Sequence, residues 1–173
     1  EEMQRYARHI TLPQVGGIGQ RKLMNSKVLV IGAGGLGSPL LLYLAAAGIG
    51  TIGIIDDDKV ELSNLQRQII HKTDNINIYK TDSAKETILA INPNIKVITY
   101  KERFTVENAE NIVSEFDIIA DGSDNFGTRF LANDTCYFKK KTLVSAAILR
   151  FEGQISTYSA YKNSKCCYRC LWP

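Results

Sequence analysis

The sequence predicts an α/β domain built on a doubly wound, mainly parallel sheet. Short apolar runs typical of buried strands alternate with stretches of helical spacing along the chain. Several of the predicted strands end on glycines or aspartates, and ligands of such sheets lie beyond the carboxyl ends of the strands. A length of 173 residues with 45% hydrophobic residues suits a single domain with a substantial core.

The first half of the chain has the pattern of a βαβ unit, the building block of Rossmann-like nucleotide-binding folds. Strands are predicted over Lys27–Ile31 and Thr51–Ile55, and a helix over 36–47 that Gly48 ends. Ser63 is expected to cap a short helix that carries Arg67.

The second half continues the alternation. The last strand alternates polar and apolar residues, which predicts a partly exposed strand added to the sheet. The predicted elements are a helix over Lys80–Ile91, a strand over Lys96–Tyr100, a helix over 106–116, a strand over 117–120, a helix over Phe126–Phe138, a strand over 142–147 and the added strand over 153–159.

Composition narrows the function classes. The net charge of +3 is too small to indicate a nucleic-acid partner. No apolar run reaches the roughly 18 residues that span a membrane, and the polar start does not resemble a secretory signal. A cytoplasmic protein without a membrane or nucleic-acid partner is therefore expected.

A glycine loop over residues 32–37 follows the first strand. Glycines let the backbone approach phosphates closely, and the helix that follows offers free N–H groups to an anion. The alternative is that the loop is a tight turn with a packing role and binds no ligand. Asp56 ends the second strand, where a carboxylate can accept hydrogen bonds from ribose hydroxyls of either NAD or ATP.

Two further carboxylates are candidates for Mg²⁺, which binds one or two protein carboxylates together with phosphate oxygens. They are Asp58 and Asp124, and Asp124 is favoured because it lies beyond a strand end. The alternative for Asp124 is a simple helix cap. Asp57 and Asp121 are expected to be structural.

Three cations can neutralise a triphosphate: Arg8, Arg67 and Lys80. Each could equally be a solvated surface residue, and Arg67 is favoured because it follows Asp56 closely. Asn64 and Gln68 add polar groups beside it.

The cysteines and histidines carry weaker signals. Cys167 and Cys170 have the spacing of half a zinc site, and absence of metal is an equally good interpretation. Cys136 is predicted to be core. His9 and His71 have no local partner for base catalysis, so surface or packing roles are expected.

Six motifs occur in order along the chain: Arg5-Tyr6-Ala7-Arg8-His9-Ile10, Gly32-Ala33-Gly34-Gly35-Leu36-Gly37, Leu62-Ser63-Asn64-Leu65-Gln66-Arg67-Gln68, Ile91-Asn92-Pro93, Asp121-Gly122-Ser123-Asp124-Asn125 and Gly153-Gln154-Ile155. Together they resemble the motifs of the ThiF/MoeB/HesA family, bacterial relatives of the ubiquitin-activating enzymes. The resemblance covers essentially all of residues 1–173, as a single nucleotide-binding domain that lacks the family's C-terminal portion. Before Lys80, Asn77-Ile78-Tyr79 replaces the family's Gly-Gln/Arg-Pro, which leaves the shape of that loop open.

The resemblance implies adenylation: with ATP and Mg²⁺, the family activates the C-terminal glycine carboxylate of a ubiquitin-like sulfur carrier and releases pyrophosphate. It implies that Asp56 holds the ribose, Gly34 and Gly35 the phosphates, Asn64, Arg67 and Lys80 the triphosphate, and Asp124 the magnesium. Arg8 would reach into the partner subunit of a homodimer. The cysteine ending looks more like the thiamine-pathway members, with a ThiS-like carrier, than the molybdopterin-pathway members, with a MoaD-like carrier.

Two hypotheses of other classes stay open. An NAD-dependent oxidoreductase would use the same loop and Asp56 but would leave Arg67, Lys80 and Asp124 without a role. An inactive partner subunit would bind the nucleotide without turnover.

Overall fold

A computed structural model describes residues 2–162 and 166–172, and a six-stranded sheet runs through its centre. The strand order is β3-β2-β1-β4-β5-β6; the first five strands are parallel, and β6 pairs antiparallel with β5. This confirms the predicted fold class. The strands are β1 (Lys27–Ile31), β2 (Thr51–Ile55), β3 (Lys96–Tyr100), β4 (Ile118–Asp121), β5 (Thr142–Leu149) and β6 (Glu152–Tyr158).

Helices connect and flank the strands. In the described part of the chain they are α1 (Glu2–Arg5), α2 (Ala7–Ile10), α3 (Gly16–Asn25), α4 (Gly37–Ala47), α5 (Lys80–Ile91), α6 (Val106–Ser114), α7 (Phe126–Phe138) and α8 (Tyr168–Leu171), with 3₁₀ turns at Leu62–Asn64 and Thr73–Asn75. No helix of the described ranges has the length and hydrophobicity needed to span a bilayer.

The sheet separates two apolar cores, as a doubly wound sheet requires. Alternate residues of β1 enter opposite cores: Val28 and Val30 pack with α4 and α5, whereas Leu29 and Ile31 pack with α6 and α7. Cys136 lies in the second core, as predicted, and burial raises the pKa of its thiol to about 12.

Several predicted boundaries were wrong, because hydrogen bonds that the local pattern did not reveal set them. β5 extends to Leu149 because its ladder with β6 continues to the pair Leu149–Glu152. The predicted short helix is only a 3₁₀ turn, and Arg67 lies beyond it. Glu61, not Ser63, occupies its N-cap and forms a capping box with Asn64.

Candidate functional site

A cleft of about 320 Å³ opens beyond the carboxyl ends of the parallel strands. It collects most of the residues that the sequence singled out, although they lie far apart along the chain. Its lining includes Gly32, Gly34, Gly35, Asp56, Asp57, Asp58, Arg67, Gln68, Lys80, Glu102, Arg103, Phe104, Gly122, Ser123, Asp124, Asn125 and Thr128.

The glycine loop forms the floor of this cleft. Gly32 has a positive φ of 92°, and Gly37 lies so close to the carbonyl of Gly32 that a side chain at residue 37 would overlap it. Above the loop, the Arg67 side chain passes over Gly35, and the Gln68 amide lies over Gly34; a Cβ at either glycine would lie 3.7 Å from these side chains. The loop therefore faces one cation and one amide.

Asp56 is held against the glycine loop from the end of β2. Its Oδ2 accepts the Ala33 N–H at 2.8 Å, and its Oδ1 accepts the Asp58 N–H at 2.9 Å. Burial raises the pKa of this carboxyl group, and the two N–H donors together with Lys80 oppose that rise. Each oxygen has a further lone pair for a ligand in the cleft.

Among the described cations that line the cleft, Lys80 is the buried one. Its side chain is 8% exposed, and Nζ lies 2.7 Å from Oδ2 of Asp58. The backbone N–H of Lys80 also donates to the Asp58 carbonyl, at 2.9 Å. These bonds fix the start of α5 against the loop that follows β2.

The loop before Lys80 keeps a backbone that glycine and proline would suit. Asn77 adopts a φ of 70°, in the left-handed region that asparagine tolerates better than most residues. Tyr79 has a φ of −57°, close to the value fixed by proline. The departure from the family pattern therefore changes the side chains and keeps a compatible conformation.

Asp124 lies at the opposite wall of the cleft, exposed, and its carboxylate has no hydrogen bond to any residue that the structure describes. The interpretation of Asp124 as a helix cap was wrong: Asn125 is the N-cap of α7 and accepts the Thr128 N–H at 2.9 Å. The loop itself is fixed by Asp121, which is buried, as its predicted structural role requires, and accepts bonds from Ser123 and Ser145.

The carboxylates of Asp56, Asp57 and Asp58 converge, with oxygen atoms within 4.8 Å of one another. Asp57 had been expected to be structural, yet its side chain is exposed and lines the cleft. Together with Asp124, these groups are oxygen donors of the kind that Mg²⁺ binds.

Three predicted groups lie outside this lining. Arg8 is exposed on α2. The residue before this helix, Tyr6, is buried, and its hydroxyl accepts a hydrogen bond of 2.8 Å from the Asn92 amide, which anchors the helix. The Asn64 carboxamide accepts the Glu61 N–H at 3.0 Å within the capping box. Neither residue is part of the cleft wall formed by the described chain.

The third group is the cysteine pair at the start of α8. The sulfur atoms of Cys167 and Cys170 lie 3.6 Å apart. Arg169, between them, forms a bidentate ion pair with Asp134, with distances of 2.6 and 2.7 Å, which holds this short helix against α7.

Sequence reasoning missed part of the lining. Glu102, Arg103 and Phe104 follow β3 and reach the cleft for the same topological reason as Asp56 and Asp124. The strand-end rule would have found them. Gln68 was noted only as an added polar group, yet it is 4% exposed and its Oε1 has no partner in the described structure.

Comparison with known proteins places the chain in a family: the model of the ThiF family matches residues 6–173. The chain belongs to the ThiF family.

Relatives of this ThiF-family chain include longer proteins. It is 51% identical over 174 residues to the adenylyltransferase and sulfurtransferase UBA4 of Lodderomyces elongisporus, covering 100% of this chain and 38% of that protein. It is 50% identical over 172 residues to the adenylyltransferase and sulfurtransferase MOCS3 of Dictyostelium discoideum, covering 99% of this chain and 40% of that one. The chain thus spans about two fifths of these curated relatives.

Solved structures agree with the family fold. A crystal structure of PaaA matches with a TM-score of 0.84 and 30% identity over 97% of this chain and 54% of that one. The structure of Escherichia coli MccB with ATP matches with a TM-score of 0.80 and 29% identity, over 87% of this chain and 45% of that one.

Proposed function

We propose that this chain is the nucleotide-binding part of an adenylyltransferase that activates the C-terminal carboxylate of a ubiquitin-like sulfur carrier. The observation that carries the proposal is one cleft in which a glycine loop, three cations and several carboxylate groups meet. Two relatives named above are adenylyltransferases, and one solved neighbour binds ATP.

The proposed reaction needs positioning and charge neutralisation more than a side-chain nucleophile. An oxygen of the carrier carboxylate attacks the α-phosphorus of ATP; the bond from that phosphorus to the pyrophosphate oxygen breaks, and the carrier retains the AMP as an acyl-adenylate. In this scheme Asp56 accepts from the ribose, and Gly34 and Gly35 donate backbone N–H groups to phosphate. Arg67 and Lys80 bind the negatively charged pyrophosphate as it leaves.

The cleft also fits a magnesium ion. Asp124 offers a carboxylate that no described residue engages, and Asp58 offers a second one across the cleft. Bound there with phosphate oxygens, Mg²⁺ would supply charge neutralisation on the triphosphate. Asn64 has its amide oxygen committed to the capping box, so we assign it a contact only through its NH₂ group.

Arg8 would act in a second subunit. It is exposed on a helix that packs against α3 and does not line the cleft of its own chain. In the proposed homodimer, the Arg8 side chain of each subunit reaches the cleft of the other subunit and neutralises the triphosphate there.

The cysteine pair is suited to half of a structural zinc site. Zn–S bonds of about 2.3 Å in a tetrahedron separate two sulfur atoms by about 3.8 Å, close to the observed 3.6 Å. Within the described residues, the acidic trio at 56–58 is the only group of three or more candidate metal ligands, so the remaining zinc ligands would come from elsewhere.

The carrier is proposed to be of the thiamine type, from the sequence resemblance, with a molybdopterin-type carrier as the alternative. Supplying the two carriers separately in an exchange assay distinguishes them.

Binding measurements test the class of the reaction first. Calorimetry with ATP–Mg²⁺ and with NAD should give binding of ATP and little heat with NAD. Binding of NAD in preference to ATP would reject the adenylyltransferase and favour the oxidoreductase hypothesis. ATP binding without exchange activity would favour the inactive partner subunit.

A further inference from the structure

A buried histidine lies beneath the glycine loop. His71 is only 6% exposed. Its Nε2 lies 2.9 Å from the carbonyl oxygen of Ala33, and its Nδ1 lies 2.9 Å from Oγ of Ser83 on α5. The ring does not line the cleft, so it is not a base for the reaction. Both ring nitrogens instead form hydrogen bonds within the fold, which agrees with a packing role, one of the two roles expected from the sequence.

The two partners determine the tautomer. A carbonyl oxygen can only accept, so Nε2 of His71 must carry the proton that it donates to Ala33. Nδ1 is then an acceptor for the Ser83 hydroxyl. Burial and the nearby charge of Lys80 lower the pKa of His71, which keeps the ring neutral.

Ala33 is thereby held on both sides of its backbone. Its N–H donates to Asp56, and its C=O accepts from His71. The described chain contains no cis peptide bond, and in a trans peptide the C=O of one residue and the N–H of the next point in opposite directions. Because the Ala33 carbonyl points to the buried ring, the Gly34 N–H points away from it, on the side where Gly34 lines the cleft.

The Gly34 N–H has no acceptor among the described residues. It is therefore a free donor at a position where the loop faces the cleft.

We propose that His71 is a positioning residue for nucleotide phosphate: by holding the Ala33 carbonyl on the buried side, it keeps the Gly34 N–H directed into the cleft. Ser83 holds the ring in the tautomer that makes this bond. The identity of the ligand as a nucleotide rests on the proposed function, whereas the orientation of the Ala33–Gly34 peptide does not.

The test compares ATP with adenosine, which shares the base and ribose but has no phosphate. His71→Leu removes the donor and leaves the Ala33 carbonyl buried and unpaired, which should weaken ATP binding about tenfold. Adenosine affinity should stay unchanged. His71→Gln restores an N–H donor and an acceptor, so it should recover part of the ATP affinity.

Thr87→Val is the matched control. Thr87 lies one turn further along α5 and donates to the Ile70 carbonyl at 2.8 Å, next to His71 in the chain but away from the glycine loop. This variant should lower Tm and leave ATP affinity unchanged. Equal losses of ATP and adenosine affinity in His71→Leu, or a loss of ATP affinity in Thr87→Val, would overturn the proposal.

Two measurements keep the proposal testable if His71→Leu does not fold. Ser83→Ala removes only the tautomer restraint and should weaken ATP binding about twofold to threefold, again without effect on adenosine. Long-range ¹H–¹⁵N spectra of the wild-type ring should show the proton on Nε2; a proton on Nδ1 alone would overturn the proposal even if ATP binds. Failure of the wild type to bind ATP contradicts the proposed function instead.

Discussion

The ammonium group of Lys80 lies 2.7 Å from the carboxylate of Asp58, at the end of a side chain that is 8% exposed. Asp58 itself is 65% exposed, so the carboxylate can turn toward solvent while the lysine cannot. In the proposed function, a phosphate group of the nucleotide displaces Asp58 from Lys80, or binds Lys80 together with Asp58.

Lys80→Met should therefore weaken ATP–Mg²⁺ binding by about tenfold to a hundredfold, because a charged hydrogen bond to phosphate is lost. Lys85→Met is the control, since it removes a lysine from the same helix outside the cleft. Calorimetry of both variants checks this. Equal ATP affinity in Lys80→Met and the wild type would show that Lys80 does not bind the phosphate.

Arg8 and Asp124 should complement each other across a homodimer. Arg8→Ala and Asp124→Asn chains should each be inactive alone in ATP–pyrophosphate exchange. Mixed after dissociation, they should recover about a quarter of wild-type activity, because half of the dimers carry one intact site of two. Asp124→Asn should fold normally, since its carboxylate has no described hydrogen bond. No recovery on mixing would argue against sites shared between subunits.

The loop before Lys80 should accept the residues that its conformation suits. Asn77→Gly should keep wild-type stability, whereas Asn77→Ala should cost about 1 kcal/mol because of the φ of 70°. Tyr79→Pro should be neutral or slightly stabilising, because the φ of −57° matches proline.

Tyr137→Pro is the contrasting control, because it removes a hydrogen bond inside α7 and should cost about 3 kcal/mol. Urea unfolding of the four variants measures these differences. A Tyr79→Pro variant as unstable as Tyr137→Pro would show that this loop does not tolerate the proline conformation.

His71 should make stability depend on pH. Its pKa is lowered in the folded state from the ordinary value of 6.5, with burial as the largest cause. At a pH well above 6.5 the ring is neutral in both states and contributes no pH dependence. As the pH falls below that value, the unfolded chain takes up the proton first, so the free energy of unfolding decreases until the folded-state pKa is reached.

The decrease between about pH 7 and pH 5 should be smaller in His71→Gln than in the wild type. Asp56 acts in the opposite direction, because its raised pKa favours protonation in the folded state, and it is present in both chains. Urea unfolding across this range measures the slopes. Identical slopes in the two proteins would show that His71 does not titrate with unfolding.

The fold could be predicted where local pattern decides the structure. The observed bounds Lys27–Ile31, Thr51–Ile55, Lys80–Ile91 and Phe126–Phe138 agree with those predicted, because each apolar pattern has a glycine or an asparagine directly before or after it in the sequence. The short helices before residue 26 were missed. They depend on tertiary contacts such as the bond from Asn92 to Tyr6, which are 86 residues apart.

The site was predictable to the extent that topology brings strand ends together. That rule placed Gly34, Asp56 and Asp124 in one cleft. Asn64, for which the resemblance implies a triphosphate contact, lies outside the lining, and its amide oxygen is used locally. The contact between His71 and Ala33 has no local signal, because 38 residues separate them and the pairing exists only in the folded chain.

Carrier-dependent ATP–pyrophosphate exchange measures the proposed adenylation itself. Radiolabelled pyrophosphate should enter ATP only when this chain, Mg²⁺ and a ubiquitin-like sulfur carrier are present together, and Asp124→Asn should abolish the exchange. Exchange that needs no carrier, or that persists in Asp124→Asn, would contradict the account, as would a complete lack of exchange with both carrier types.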